Sequence, residues 1–121
     1  MLSLSISMKK RVVKKPWGRE EIIALNEPLT VKIIIVKPKQ LLSLQTHKLR
    51  AEYWQVLEGD PKITVGNKTV KAKPGQEFFI NKHQKHRIES TNKNSRILEV
   101  AFGKWIATDI KRLEDKYGRA N

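Results

Sequence analysis

A succession of short, β-branched runs, none long enough for a stable globular helix, constrains this chain most. Residues 29–36 read LTVKIIIV, and residues 41–46 alternate Leu42, Leu44 and Thr46 against Ser43 and Gln45. Further runs of the same kind cover 53–57, 63–65, 69–71, 77–80, 87–89 and 97–102. Period-two alternation over four to eight residues is the signature of strands with one face buried. Turn residues separate the runs: Glu58-Gly59-Asp60-Pro61, Gly66-Asn67 and Lys73-Pro74-Gly75. Residues 63–71 therefore read as a hairpin closing at Gly66-Asn67. Many short strands at this spacing predict an all-β chain folded as an antiparallel sandwich or barrel. Only the end reads as helical, with Thr108-Asp109 capping a short helix through Lys116 that stops near Gly118.

The chain has 121 residues, 39% of them apolar, which suits one globular domain over 1–121 with a self-supporting core. Residues 1–14 read as an N-terminal arm or strand. The apolar opening of residues 1–7 precedes Lys9, Lys10 and Arg11, the reverse of a secretory signal, and no run approaches the roughly 20 residues of a membrane span. A cytoplasmic protein with no membrane partner is expected. There is no cysteine, so a metal site must use histidine, carboxylate and amide oxygen. Lys and Arg number 25 against 12 Asp and Glu, a formal charge of +13. Such a surface favours anionic partners, but without a basic helix or stacking array it does not indicate nucleic-acid binding.

All three histidines fall near strand ends. Gln45 and His47, two apart on a strand, share a face. Glu52 follows after a turn-like stretch, and His86 opens the run at 87–89. If that run lies beside the first pair, an amide oxygen, two imidazoles and a carboxylate converge. Such a set suits zinc, manganese, cobalt, nickel or iron with coordination positions left open. Spacing alone leaves a surface or hydrogen-bonding role for each histidine open. Trp17, Trp54 and Trp105 read as core or cavity wall.

Residues 42–59 (LSLQTHKLRAEYWQVLEG) and 75–90 (GQEFFINKHQKHRIES) resemble the two cupin motifs of the type II phosphomannose isomerases. Lys15-Pro16-Trp17-Gly18 and residues 109–119 (DIKRLEDKYGR) resemble that family's opening and closing motifs. The resemblance implies a cupin barrel, a double-stranded β-helix or jelly roll, often a homodimer that exchanges its N-terminal strand. It places the ligands of one divalent metal, zinc first among the candidates, on Gln45, His47, Glu52 and His86. It also implies interconversion of mannose 6-phosphate and fructose 6-phosphate, with a phosphorylated sugar as substrate. In that reading Arg112 and Arg50 stabilise charge, and His83, a metal-bound hydroxide or Glu89 serves as base. Lys48, Leu49 and Tyr53 depart from the family's histidines, and Asn81-Lys82-His83 replaces its Pro-x-Gly turn. These departures touch the cavity lining and spare the proposed ligands. A binding or sensing cupin that keeps the metal without isomerising is therefore the alternative, and iron-dependent oxygenation is a more distant one. The family's isomerase is often joined to a guanylyltransferase. No Gly-rich nucleotide-binding segment occurs here, so that activity is not expected.

Overall fold

A computed structural model describes residues 10–121. Eleven antiparallel strands make up its regular structure: β1 Arg11–Lys15, β2 Gly18–Ile22, β3 Leu29–Val36, β4 Leu44–Thr46, β5 Arg50–Glu58, β6 Lys62–Val65, β7 Lys68–Lys71, β8 Glu77–Ile80, β9 His86–Glu89, β10 Ser95–Gly103 and β11 Lys111–Glu114. They form a two-stranded ribbon (β1-β2), a four-stranded sheet in the order β3-β10-β5-β8, and a five-stranded sheet in the order β11-β4-β9-β6-β7. No described helix is long and apolar enough to cross a membrane.

The alternation read from the sequence decides what lies between the sheets. Trp54, Val56, Ile80 and Ile97 of the four-stranded sheet pack with Ile63 and Ile88 of the five-stranded one, with Val36 and Ala72 at the margins. Each fully buried aliphatic side chain contributes about 1.5–3 kcal/mol, so this cluster carries most of the stability. The next residues along the same strands face outward. Tyr53, Val100 and Phe102 gather there with Ala51, and Ile23, Ala24, Leu29, Phe79 and Leu98 pack on them. Tyr53 Oη donates to Glu77 Oε2 at 2.5 Å, and Glu77 also pairs with Lys10 at 2.7 Å, which pins the start of the described chain to β8.

The hairpin expected at Gly66-Asn67 is present, with Val65 opposite Lys68 and Gly66 at φ +63°. The C-terminal helix is not. Residues 111–114 form β11, which pairs with β4 through Lys111↔Thr46 and Arg112↔Gln45. β4 would otherwise present an unpaired edge, and pairing there outweighs a marginal helix. The Asp109 carboxylate, read as a helix cap, instead accepts the backbone N–H groups of Lys48 and Leu49, both at 2.9 Å. Trp54 is fully buried as expected, whereas Trp17 in the β1-β2 turn is 72% exposed and lines no core. Of the predicted arm at 1–14, residues 1–9 lie outside the described residues and the rest belongs to β1 and the residue before it.

Candidate metal centre

At one end of the space between the sheets the inward side chains turn polar. His47 directly follows β4, Glu52 lies on β5 and His86 opens β9; all three are buried. The tight turn at Lys48-Leu49, held by Asp109, returns the chain so that Glu52 stands beside His47. The Gln45↔His86 pairing of β4 and β9 brings in the second imidazole. His47 Nε2 lies 3.5 Å from Glu52 Oε2, and His86 Nε2 lies 3.6 Å from Glu52 Oε1. One donor atom from each residue fits within 4.8 Å of the other two.

Each imidazole is fixed from behind. His47 Nδ1 lies 2.7 Å from the Asp109 carbonyl oxygen and His86 Nδ1 lies 2.9 Å from that of Gln84. A carbonyl only accepts, so both Nδ1 atoms carry the proton and both Nε2 lone pairs face the cluster, as the imidazoles of metal-binding histidines are held. Burial holds His47 well below its ordinary range, to about 4, against the pull of the Asp109 carbonyl. Burial likewise lowers His86. Both are therefore neutral near pH 7, the form that binds metal. His86 Nε2 is buried with no hydrogen-bond partner. A buried, oriented acceptor without a donor is suited to a cation, so these residues fit a divalent metal.

Gln45 completes the predicted set in a different posture. Ser43 Oγ donates to its Oε1 at 2.6 Å, and its Nε2 stands 3.4 Å from His47 Nε2. A half-turn of the amide exchanges its two atoms and presents oxygen to the cluster, with Ser43 Oγ then accepting. Arg50 is 6% exposed and lies within the cluster. Its Nε donates to Glu52 Oε2 at 2.9 Å, and its Nη2 approaches His47 Nε2 at 3.1 Å. One lone pair cannot serve both groups, so metal at His47 displaces the Nη2 contact.

Two more residues join the site that the sequence reading did not single out, Glu99 and Lys32, together with Trp54 and Trp105, which it read as core or cavity wall. Trp54 Nε1 donates to both Glu52 Oε1 (3.1 Å) and Glu99 Oε1 (3.2 Å). Glu99 is 3% exposed, and burial beside Glu52 raises its carboxyl above the usual range. Lys32, directly across the ladder from Glu99, places Nζ 3.6 Å from Glu99 Oε2. Trp105 lies over both cations, 4.8 Å from Lys32 Nζ and 5.1 Å from the Arg50 guanidinium carbon.

Of the residues expected to act on substrate, Arg50 is in the cluster, and Arg112 lies across the ladder from Gln45 with its Nε buried and unpartnered. The His83 ring is exposed and lines a separate pocket of about 430 Å³ with Thr46, Lys48 and Lys111. Only its backbone N–H reaches the site, donating to the His47 carbonyl at 2.7 Å. Glu89 alternates with Ile88 on β9 and faces away from the metal-binding end.

Comparison with known proteins follows the same outline. The family model described as mannose-6-phosphate isomerase C-terminal matches residues 5–115. The alginate biosynthesis protein AlgA of Pseudomonas aeruginosa is 38% identical over 109 residues, covering 88% of this chain and 23% of that protein. The xanthan biosynthesis protein XanB of Xanthomonas campestris is 37% identical over 111 residues, covering 90% and 24%. A mannose-1-phosphate guanylyltransferase of Klebsiella pneumoniae is 33% identical over 113 residues, covering 92% and 24%. The chain thus spans about a quarter of the length of these relatives. Among solved structures, the cupin-2 domain protein Rru_A2000 of Rhodospirillum rubrum superposes with a TM-score of 0.60 at 14% identity, covering 84% of this chain and 77% of that one. The capsular polysaccharide assembling protein CapF of Staphylococcus aureus superposes with a TM-score of 0.63 at 17% identity, covering 93% and 35%. These likenesses establish the cupin fold. The relatives overturn the expected interconversion of mannose 6-phosphate and fructose 6-phosphate. They are named for guanylyl transfer and polysaccharide biosynthesis, and the isomerase assignment is withdrawn.

Proposed function

This chain belongs to the mannose-6-phosphate isomerase C-terminal family of cupins, and on that premise we propose that it is a zinc-holding domain that binds a phosphorylated sugar. The observation that carries the reading is the convergence of two neutral, rear-anchored imidazoles and Glu52 on a buried point, where His86 Nε2 has no partner. Zinc accepts imidazole and carboxylate in a four-coordinate site, with Gln45 or a ligand oxygen completing it. Manganese, cobalt, nickel and iron accept the same donors. Bound metal would polarise and orient a ligand oxygen. Mannose 1-phosphate, named in the guanylyltransferase relatives, is the ligand to try first. A sugar phosphate of biosynthesis is a cytoplasmic metabolite, and we place the chain in the cytoplasm on that ground.

A homodimer is part of the proposal. Val31, Ile33 and Ile35 point outward from edge strand β3, with exposures of 55%, 42% and 56%. Together with Leu98 on β10 they make an apolar face that a second copy would cover. Light scattering on the eluted protein should give twice the 14.0 kDa chain mass, and a monomer at tens of micromolar would remove this part.

Elemental analysis after zinc loading and calorimetric titration with mannose 1-phosphate test the main reading. One zinc per chain and saturable binding are expected, with the metal lost from His47→Ala/His86→Ala. Absence of stoichiometric zinc in the wild type would contradict the site.

A further inference from the structure

The polar end of the cavity carries cationic groups that the metal ligands do not use. Arg50, Lys32 and Arg112 stand there with Glu52 and Glu99, and the Asp109 carboxylate behind them is already engaged by the Lys48 and Leu49 backbone N–H groups. A divalent metal would add further positive charge to this end. The hydrogen bonding is also incomplete on the donor side. Arg50 Nη1 and Arg112 Nε are buried with no partner, and Arg50 Nη2 loses His47 Nε2 once a metal binds there. Buried guanidinium groups are rarely left so without a ligand to receive them.

Lys32 is held beside this space. Its side chain is 41% exposed and stands at the rim, a position that follows from its place opposite Glu99 in the β3–β10 ladder, and Glu99 is fixed by the Trp54 N–H that it shares with Glu52. At 3.6 Å the Lys32–Glu99 pair is an ion pair and not a full hydrogen bond, so the ammonium retains donors to give. Trp105 covers the ammonium and the Arg50 guanidinium together. Its position depends on Gly103 at the end of β10, with φ +105°, where a Cβ would fall 2.5 Å from the Leu49 carbonyl oxygen. A side chain at 103 would therefore displace the segment that carries Trp105.

The geometry points to Lys32 as the residue that receives the anionic group of the ligand, with Arg50 as its partner and Glu99 as the positioning residue that ties it to the metal centre. The ligand class is a small organic phosphate whose sugar oxygens approach the metal while its phosphate lies under Trp105. Lysine serves here as a compact, movable charge, and arginine supplies the directed N–H groups. This inference rests on the metal-holding, sugar-phosphate reading above and adds the recognition of the phosphate.

The test is calorimetric titration of zinc-loaded full-length chain with mannose 1-phosphate and, separately, with mannose, zinc content being measured on every sample. Lys32→Met keeps the apolar stem over Trp105 and removes the charge. It should weaken mannose 1-phosphate binding about ten- to hundredfold, the effect of one charge-assisted hydrogen bond, while leaving zinc content and mannose binding unchanged. Lys32→Arg should restore most of the affinity. Glu99→Gln should weaken binding less than Lys32→Met, and the double variant should be no weaker than Lys32→Met alone. Unchanged phosphate affinity in Lys32→Met overturns the proposal. So does an equal loss in Lys68→Ala, because that residue lies on β7 of the other sheet and shares only the overall charge. Additive effects of the two substitutions overturn the role given to Glu99. A wild type without zinc would overturn the metal reading, while mannose 1-phosphate binding by the same sample still decides Lys32.

Discussion

The two ends of the cupin interior are built from the same strands and obey opposite rules. On β5, Glu52 faces one end while Trp54 and Val56 face the other; on β9 the pair is His86 and Ile88, and on β10 it is Glu99 and Ile97. Each switch is one inward step, two residues or about 7 Å along a strand. At the apolar end side chains are fully buried and satisfied by contact. At the polar end equally buried groups keep loose atoms: Arg50 Nη1, His86 Nε2 and Glu99 Oε2. Trp54 marks the boundary, its ring in the apolar cluster and its N–H shared by two carboxylates. The fold thus derives its stability from one end and accepts unsatisfied charge at the other. A buried polar group without a partner costs about 1–3 kcal/mol, so the polar end is tolerated only beside a strong apolar one.

Truncating each end separates the two roles. Ile97→Ala should lose about 2–5 kcal/mol in urea unfolding, with or without zinc, through lost contacts and a residual cavity. Acid should attack the other end. The unfolded chain protonates His47 near its ordinary 6.5, whereas the folded chain resists until about 4. Stability therefore holds above pH 6.5 and falls as pH drops from 6.5 to 4, by roughly 3 kcal/mol in all, with His86 acting in the same direction. Urea titrations of metal-free protein across that range should show this slope, and His47→Ala should flatten it. Zinc at a hundred times its Kd should add about 2.7 kcal/mol to the wild type and nothing to His86→Ala. Ser90→Ala removes bonds from Ser90 Oγ to the Val36 carbonyl and Ser95 Oγ, and should cost about 1 kcal/mol without altering zinc binding.

Much of this was legible in the sequence because strand alternation speaks directly to burial. β3 and β8 were bounded correctly, and the 63–71 hairpin turns where Gly66 demands it. The four metal-ligand candidates converge because two of them share a strand face and the β4–β9 pairing supplies a third. The acid and the lysine were missed for one reason. Glu99 within ILEVAF and Lys32 within LTVKIIIV are single charges inside apolar runs, and the sequence reading assigned neither to a face. Each is in fact in phase with inward neighbours, Ile97 for Glu99 and Ile34 for Lys32. That signal was present, but its meaning depends on the β3–β10 register, which pairs residues more than 60 positions apart. Residues 108–116 misled in the opposite sense, because the capping chemistry of Asp109 was real and served the turn after β4. Neither a strand partner nor a distant capped turn is encoded in local spacing.

The central claim is that His47, Glu52 and His86 hold one divalent cation at the polar end. Elemental analysis of protein loaded with zinc and then freed of excess metal tests it most directly, with wild type and His86→Ala side by side. One zinc per wild-type chain, and little in the variant despite an unchanged far-ultraviolet spectrum, is the predicted result. Equal zinc in both, or none in either, would contradict it.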